Sequence, residues 1–168
     1  MEYVEHSFEP VFNSQSKVLI LGTLPSVKSR ENQFYYGHPQ NRFWKVLKAL
    51  TAWQGDLLTI DEKKKMLLRH GIAIWDVIKS CQITGSSDSS IKDVTANDLT
   101  LICKAAQVQK IYANGSKAYE LFFRYCKDMT NLPIEKLPST SPANAACSLD
   151  KLIRIWGNQI KEINNLNK

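Results

Sequence analysis

Short apolar runs recur along the chain and predict the strands of a sheet. Residues 17–22, 72–78 and 110–114 are almost continuously apolar, with no alternation of polar and apolar positions. Runs of this length without alternation are typical of strands that are buried on both faces of a parallel sheet. Residues 132–137 predict a fourth, shorter strand that leads into a loop rich in proline and hydroxyl side chains.

Between these runs, apolar residues repeat at helical spacing. The pattern predicts helices over residues 43–50, 59–70, 95–106, 116–126 and 143–163. Strands that alternate with helices are typical of an α/β domain with a mostly parallel sheet. Because the sequence has no internal repeat and no linker, we expect one α/β domain over residues 1–168, with a central four-stranded, mostly parallel sheet flanked by helices.

The composition excludes several classes of protein. Hydrophobic residues make up 43% of the 168 positions and charged residues 23%, the balance of a globular chain rather than of a disordered or fibrous one. No apolar run approaches the roughly 20 residues that cross a bilayer, and the acidic start of the chain lacks a signal-peptide pattern. We therefore expect a cytoplasmic protein. The net charge of +6 suits a nucleic-acid partner, but it suits other soluble proteins equally well.

The four cysteines do not indicate a metal centre. Cys81, Cys103, Cys126 and Cys147 lie far apart and form no CxxC pair, whereas zinc and iron–sulfur sites usually take two ligands from one tight loop. A cytoplasmic location also disfavours disulfides. The sequence therefore predicts four reduced, mostly structural thiols, with no metal or other cofactor. Asn114 begins an Asn-Gly-Ser triplet, which in this context predicts a turn.

Ligands of a parallel α/β sheet bind in the loops that follow the carboxyl ends of its strands. The first of these loops, Gly22–Trp44, is long for a connection that usually takes about 2–6 residues. It contains three consecutive aromatic residues, Phe34, Tyr35 and Tyr36. One interpretation is a ring platform that stacks on a planar base. The other is that Phe34 and one tyrosine only anchor the loop in the core.

Two polar residues of this loop each have two interpretations. His38 is a candidate acid–base group, or a loop residue that is held by hydrogen bonds next to Pro39. Asn41 directly precedes an aromatic helix start, where an asparagine often caps the helix. Alternatively, the Asn41 side chain holds a water molecule or bonds to the amide edge of a base.

The second loop, Pro138–Asn144, places hydroxyl side chains and prolines directly ahead of the last predicted helix. Hydroxyls, free backbone N–H groups and a helix N-terminus together can form an anion site. A capping loop without a ligand is the alternative. The candidate residues of this loop are Ser139, Thr140, Ser141, Pro142 and Asn144.

These two loops resemble the motifs of a known superfamily. Gly22-Thr-Leu-Pro-Ser26, followed by Tyr36-Gly-His-Pro-Gln-Asn-Arg-Phe-Trp44, resembles the first motif region of the uracil-DNA glycosylases. The part His38–Trp44 is similar to the mismatch-specific members. The second loop is similar to the superfamily's second motif, and Gly71–Asp76 to its middle strand. The resemblance implies a three-layer α/β sandwich that excises a base from DNA.

One departure from the superfamily pattern changes the expected chemistry. Leu24 stands where other branches have a water-activating aspartate or asparagine. A Gly-x-x-Pro-Ser motif combined with the asparagine of His-Pro-x-Asn is similar to the hypoxanthine-DNA glycosylase branch, in which that asparagine takes over. The resemblance therefore implies Asn41 and His38 as catalytic residues.

The same resemblance implies the rest of the site. Tyr36, Thr23, Pro25 and Ser26 would contact a flipped hypoxanthine or uracil, and the second loop would bind the DNA. The enzyme would be a monofunctional, monomeric glycosylase of base excision repair, without a cofactor, acting on DNA that contains a deaminated or mismatched base.

Two other functions are compatible with the residues alone. One is a non-catalytic module that binds single-stranded nucleic acid through its aromatic side chains and positive charge. The other is a nucleotide- or nucleoside-binding α/β enzyme. The second is disfavoured because Gly22–Ser26 matches neither the P-loop nor the GxGxxG pattern.

Overall fold

A computed structural model describes residues 1–166, so Asn167 and Lys168, at the end of the predicted domain, lie outside the described residues. The strands are β1 (Glu2–Glu5), β2 (Val18–Gly22), β3 (Ile72–Asp76), β4 (Ile78–Ile83), β5 (Lys92–Ala96), β6 (Lys110–Asn114) and β7 (Ile134–Leu137). The α-helices are α1 (Val27–Asn32), α2 (Phe43–Thr51), α3 (Ile60–Arg69), α4 (Thr100–Ala105), α5 (Ser116–Tyr125), α6 (Leu149–Gln159) and α7 (Lys161–Leu166).

The central sheet has four parallel strands in the order β3-β2-β6-β7. Every residue of β2 and β3 is buried, which explains why these runs carry no polar alternation. The helix α3 packs on β3, α5 packs on β6 and β7, and α6 packs on β7. The predicted α/β fold with a four-stranded sheet flanked by helices is thus confirmed. Within residues 1–166, no helix is both long enough and apolar enough to cross a bilayer.

A second sheet, which the apolar pattern does not predict, has three antiparallel strands in the order β1-β4-β5. The predicted strand 72–78 divides at Val77, whose N–H donates to the Gly22 carbonyl at 2.9 Å. The chain then leaves the central sheet and continues as β4. The register of β1 on β4 places the N-terminal segment beside the end of β3.

The helix predicted from residue 95 begins later in the structure. Thr95 pairs with Ser80 in β5, and α4 starts only at Thr100. Strand pairing prevails over the helical pattern here because β5 supplies hydrogen-bond partners to the edge of β4 that β1 leaves unpaired. Asn97 separates the two elements, since its side chain donates to two carbonyls of the β3–β4 connection, at 2.9 and 3.2 Å.

The last predicted helix also begins later, at Leu149, where the Ser148 side chain caps α6. The preceding segment does not become helical because the carbonyls of Asn144 and Cys147 accept hydrogen bonds from an arginine side chain. The helix ends at Gln159 rather than at residue 163, and α7 follows it.

Two further helix starts differ from the pattern. The long first loop contains α1, which Ser26 caps by accepting from the Ser29 N–H at 3.2 Å. Ser116, predicted as the cap of α5, is its first helical residue. The position before it is Gly115, whose φ of 98° favours glycine.

The four cysteines, all within the described residues, are free thiols.

Candidate active site

A cavity of about 420 Å³ opens at the carboxyl ends of three parallel strands. The last residues of β2, β3 and β6, namely Gly22, Asp76 and Asn114, all line it. The loop after β2, the loop after β7 and the serine-rich segment 86–89 contribute the remaining walls. This is the position in which ligands bind to parallel α/β sheets.

The three consecutive aromatic residues of the first loop divide between the core and the cavity. Phe34 and Tyr35 are buried, and the Tyr35 hydroxyl donates to the Glu9 carbonyl at 2.8 Å. Tyr36 lines the cavity with a φ of 52°, which is uncommon for a residue other than glycine. One face of its ring stacks on Phe43, at 3.9 Å between centroids. Phe34 and Tyr35 therefore anchor the loop, although Tyr35 also borders the cavity, and Tyr36 is the less buried ring that lines it.

The Tyr36 hydroxyl is buried next to the end of β2. Burial, and after it the negative charge of Asp76, raises the pKa of Tyr36 far above its ordinary value, so the hydroxyl stays a neutral donor. The Asn114 amide is close enough to oppose this rise in pKa, but the hydroxyl forms no well-aligned hydrogen bond with any described residue. A buried hydroxyl without such a partner is uncommon and calls for a ligand or a water molecule.

Asn41 lies one position before the N-cap of α2, and its side chain is held by two hydrogen bonds. Its Oδ1 accepts hydrogen bonds from the Phe43 N–H and from the Thr140 hydroxyl, each at 2.9 Å. The first bond ties down the start of α2, as a helix cap does. Because Oδ1 is engaged, the group left over is the donor Nδ2, which has no hydrogen-bond partner among residues 1–166. Asn41 lines the cavity and can donate into it.

Thr140 connects Asn41 to the end of β6. This threonine is fully buried. Its hydroxyl donates to Asn41 Oδ1 and accepts from Asn114 Nδ2 at 3.0 Å, and its N–H donates to Asn114 Oδ1 at 3.1 Å. The network joins the second loop both to the sheet and to the first loop, so it holds the Asn41 amide in one orientation.

Arg42 holds the second loop from inside. Its side chain donates to the carbonyls of Thr140 at 3.3 Å, Ser141 at 2.7 Å and Asn144 at 3.1 Å, and also to the carbonyl of Cys147. A guanidinium has five N–H donors in a fixed plane, which suits several carbonyls on one curved segment. Arg42 therefore shapes the loop, and its charge is directed inward.

We expect Arg42→Gln to release this loop, because glutamine can satisfy only part of the carbonyls that Arg42 binds. Hydrogen bonds to charged groups contribute about 1.5–3 kcal/mol each, and the freed carbonyls regain water, so we expect the free energy of unfolding to fall by about 2–3 kcal/mol. The rate of backbone amide hydrogen exchange should rise in residues 138–147 and stay unchanged in the central sheet. Lys45→Gln, an exposed position on α2, removes the same charge and serves as the control. Unchanged exchange in residues 138–147 would contradict the prediction.

Three predicted base-binding residues, Thr23, Pro25 and Ser26, line the cavity. The Ser26 side chain is already engaged, because it caps α1 and donates to the Ser29 hydroxyl at 3.1 Å. Leu24 lines the same cavity and packs against the core.

His38 does not line the cavity. Its Nδ1 accepts from the Gln40 N–H at 3.1 Å, and its carbonyl accepts from the Asn41 N–H at 3.0 Å. These hydrogen bonds are typical of a turn residue. They agree with the interpretation of His38 as a loop residue that is held by hydrogen bonds. A catalytic role of His38 stays a prediction.

The second loop contributes Ser139, Thr140 and Ser141 to the cavity, whereas Pro142 and Asn144 do not line it. Asn144 instead donates to the Ser139 carbonyl at 3.0 Å. An anion site built on a helix N-terminus is not formed at this loop, because α6 begins several residues later. Contact of these five residues with DNA stays a prediction.

Two residues of the site, Asp76 and His6, escape the sequence analysis. The His6 Nε2 and Asp76 Oδ2 atoms lie 2.8 Å apart, and the two side chains are 2% and 5% exposed. Asp76 had a signal, because it is the one charged residue within the apolar run 72–78. His6 had none, since it comes from the N-terminal segment beside β1.

The site can bind a planar heterocycle through both kinds of hydrogen bond. Asn41 and Tyr36 present donors, and the Asp76 carboxylate presents an acceptor. Within residues 1–166, no three His, Cys, Asp or Glu side chains lie close enough to hold a metal ion.

Comparison with known proteins gives consistent matches. A family model described as the uracil DNA glycosylase superfamily matches residues 9–158. A protein of Methanosarcina acetivorans named hypoxanthine DNA glycosylase is 33% identical over 151 residues, covering 88% of this chain and 93% of the relative. A protein of Methanosarcina barkeri with the same name is 32% identical over 117 residues, covering 69% and 74%. The solution NMR structure of a candidate uracil DNA glycosylase from M. acetivorans is similar with a TM-score of 0.78 and 31% identity, covering 94% of this chain and 96% of that one.

Proposed function

The chain belongs to the uracil DNA glycosylase superfamily and is a DNA glycosylase, and we propose that hypoxanthine is the base that it removes from DNA. This membership favours an enzyme over a non-catalytic single-strand-binding module and over a nucleotide-binding α/β enzyme. Both relatives described above carry the name hypoxanthine DNA glycosylase.

The observation that carries this proposal is the contrast between two residues that line one cavity. Leu24 offers only an apolar side chain, so it cannot orient or deprotonate a water molecule. Asn41 lines the same cavity with an amide donor that no described residue uses. A site of this composition lowers the barrier mainly by stabilising the departing base.

Excision exchanges one bond to the sugar for another. The C1′–N9 bond of deoxyinosine breaks, and its electron pair leaves with the base. A water oxygen bonds to C1′ and releases one proton, and the base takes up a proton, so the products are hypoxanthine and an abasic sugar. The sugar passes through an oxocarbenium-like state, so any stabilisation of the leaving base lowers the barrier.

Asn41 acts as the catalytic residue in this proposal. Its Nδ2 donates a hydrogen bond to the flipped base as negative charge develops there, and one positioned donor contributes about 3 kcal/mol, or roughly 10²-fold in rate. The Tyr36 ring, on the side opposite Phe43, stacks on the base. His38 holds the turn from which Asn41 projects, and thus acts through Asn41.

The remaining predicted residues surround the flipped nucleotide. Thr23, Pro25 and Ser26 contact the base from the β2 side of the cavity. The second loop, with Ser139, Thr140, Ser141, Pro142 and Asn144, contacts the DNA beside it. Flipping costs less from a mismatch than from a normal pair, so inosine opposite thymine is the expected substrate. We further propose a cytoplasmic monomer that acts as a single domain without a metal or other cofactor.

A base panel tests this function. Labelled single- and double-stranded oligonucleotides that contain hypoxanthine, xanthine, uracil or mismatched thymine are incubated with the enzyme in EDTA, and abasic sites are counted. We expect excision of hypoxanthine, faster from a mismatch. Binding without release of any base would favour the non-catalytic module, and activity that EDTA abolishes and a divalent ion restores would contradict the cofactor-free mechanism.

We expect DNA binding to weaken as salt rises. The net charge is +6, and neutralising about three phosphates releases enough counterions to lower affinity roughly 40-fold between about 50 and 200 mM salt. Fluorescence anisotropy with an undamaged duplex measures this dependence. An affinity that does not change over this range would count against phosphate contacts by the second loop.

A further inference from the structure

Three consecutive lysines, Lys63, Lys64 and Lys65, lie in the first half of α3 and do not line the cavity. The helix packs on β3 and is joined to it by only His70 and Gly71, so it runs antiparallel to the strand. The helix has 10 residues and the strand has 5, which gives both a length of about 15–17 Å. The first turns of α3 therefore lie beside the carboxyl end of the sheet, where the cavity opens.

Two of these lysines are held against aromatic rings of the first loop. Lys63 Nζ lies 5.1 Å from the centroid of the Trp44 ring, and Lys64 Nζ lies 5.9 Å from that of the Phe34 ring. The two rings stack on each other, with centroids 5.9 Å apart. An ammonium group within about 6 Å of a ring centroid is attracted by the negative face of the ring. The two lysines therefore have a defined position, which a fully solvated lysine side chain does not have.

Neither ammonium group is neutralised by a carboxylate. In the described part of the chain, neither Lys63 nor Lys64 forms an ion pair, although Asp61 and Glu62 belong to the same helix. The Glu62 carboxylate instead accepts a hydrogen bond from the Thr59 hydroxyl at 2.9 Å. Lys63 is half-buried, and burial lowers the pKa of its ammonium group. An anion bound beside the lysines would restore the charged form, because an opposite charge nearby stabilises it.

The same rings connect the lysines to the cavity. Trp44 Nε1 donates to the Tyr35 carbonyl at 3.1 Å, and the Trp44 ring lies 6.4 Å from the Tyr36 ring between centroids. Tyr35 and Tyr36 both line the cavity. A single aromatic ring therefore separates the Lys63 ammonium group from the wall on which the flipped base is proposed to stack. A DNA strand that leaves the cavity on this side meets the two lysines.

We propose that Lys63 and Lys64 bind backbone phosphates of the DNA strand that flanks the flipped nucleotide. A lysine ammonium group binds phosphate as a point charge, so this contact positions the strand without reading its sequence. The pair forms a phosphate-binding surface on α3, apart from the second loop. The inference rests on the proposed function, because the flipped base fixes where the strand leaves the cavity.

Removal of both charges tests this surface. In the double variant Lys63→Gln/Lys64→Gln, we expect the affinity for an undamaged duplex to fall by roughly tenfold or more at about 100 mM salt. The slope of log affinity against log salt concentration should become shallower by about 2, because each phosphate contact contributes about 0.9 to it. Fluorescence anisotropy over a range of salt concentrations measures both quantities.

The control removes the same charge at the opposite end of the sheet. Lys104 is exposed on α4, which precedes the start of β6, and Lys127 is exposed just after the end of α5. Lys104→Gln/Lys127→Gln should keep the wild-type slope, since charges beyond about 10 Å are largely screened at 0.1 M salt. Lys63→Arg/Lys64→Arg keeps both charges and can keep both ring contacts, so its affinity and slope should stay near those of the wild type.

Single-turnover kinetics separate binding from chemistry. Neither lysine lines the cavity, so the rate of hypoxanthine excision at saturating enzyme should stay within about twofold in the glutamine variant. The enzyme concentration that gives half of this rate should rise in proportion to the lost affinity. If the double variant fails to fold, Lys64→Gln alone, at an exposed position, should make the slope shallower by about 1.

The outcomes separate this inference from the proposed function. A wild type whose salt slope depends on the two lysines, but which releases no hypoxanthine, supports this surface and contradicts the proposed function. If the wild type releases hypoxanthine and the glutamine variant keeps the wild-type affinity and slope, only the inference is overturned. A lower melting temperature with an unchanged slope shows that the lysines only stabilise the first loop, and an equal loss of slope in the control pair shows an effect of net charge. Either result also overturns the inference.

Discussion

Asn41→Ala is expected to lower the single-turnover rate of hypoxanthine excision by roughly 10²-fold or more, the effect of losing one positioned donor. The Oδ1 atom of Asn41 is engaged by Phe43 and Thr140, so the alanine variant also loses a helix-start contact and one loop contact. We therefore also expect the free energy of unfolding to fall by about 1–2 kcal/mol and the melting temperature to decrease. The affinity for undamaged duplex should change little, since Asn41 lines the cavity and is proposed to contact the base rather than the phosphates.

Asn41→Asp separates the two contributions. Aspartate keeps an Oδ1 acceptor for the Phe43 N–H and the Thr140 hydroxyl, but it replaces the donor Nδ2 with an oxygen. We expect a melting temperature near that of the wild type, together with a loss of rate at least as large as in the alanine variant. Reduced stability in Asn41→Ala with a nearly wild-type rate in both variants would remove Asn41 from the mechanism and direct attention to His38 and residues 139–141.

The strand edge that forms the site is predictable from local pattern. A parallel strand buried on both faces must be apolar throughout, so β2, β3 and β6 stand out from their surroundings. The residue that ends each strand lies at the ligand-binding edge. Gly22, Asp76 and Asn114 occupy these positions. Asp76 also carries a local signal, because it is the one charged residue within the apolar run 72–78.

The contacts that orient the site are not predictable in this way. Arg42 binds carbonyls about a hundred positions further along the chain, and His6 bonds to Asp76 across seventy positions. No local periodicity reports which distant partner a side chain will meet. The same holds for Thr95, whose helical pattern yields to pairing with Ser80 across β4 and β5. Long-range pairing, and not local propensity, determines the conformation and the contacts at these positions.

Gly22 provides the sharpest test of the cavity as the base-binding site. It lies at the buried end of β2 and its backbone conformation is one that alanine can adopt, since its φ is not among the positive values. The added methyl group would nevertheless meet the Asp76 carboxylate and the Tyr36 hydroxyl. Overpacking of this kind usually costs about 1–3 kcal/mol, so we expect Gly22→Ala to fold with a reduced melting temperature.

The larger expected effect of Gly22→Ala is on catalysis, because the methyl group would collide with the Asp76 carboxylate and crowd the Tyr36 hydroxyl, and both residues line the cavity. We expect hypoxanthine excision to fall by roughly 10²- to 10³-fold in single turnover, as when a positioned polar contact is lost, while affinity for undamaged duplex stays within about twofold because phosphate contacts are unaffected. Gly157→Ala in α6 is the matched control, since apart from its own helix backbone and chain neighbours no atom of the described residues lies within 4 Å of the Cβ that it adds. It should leave the rate unchanged and raise helix stability by about 0.5–1 kcal/mol. A Gly22→Ala enzyme that folds and excises hypoxanthine at the wild-type rate would place the base outside this cavity, since the added methyl group must displace two side chains that line it.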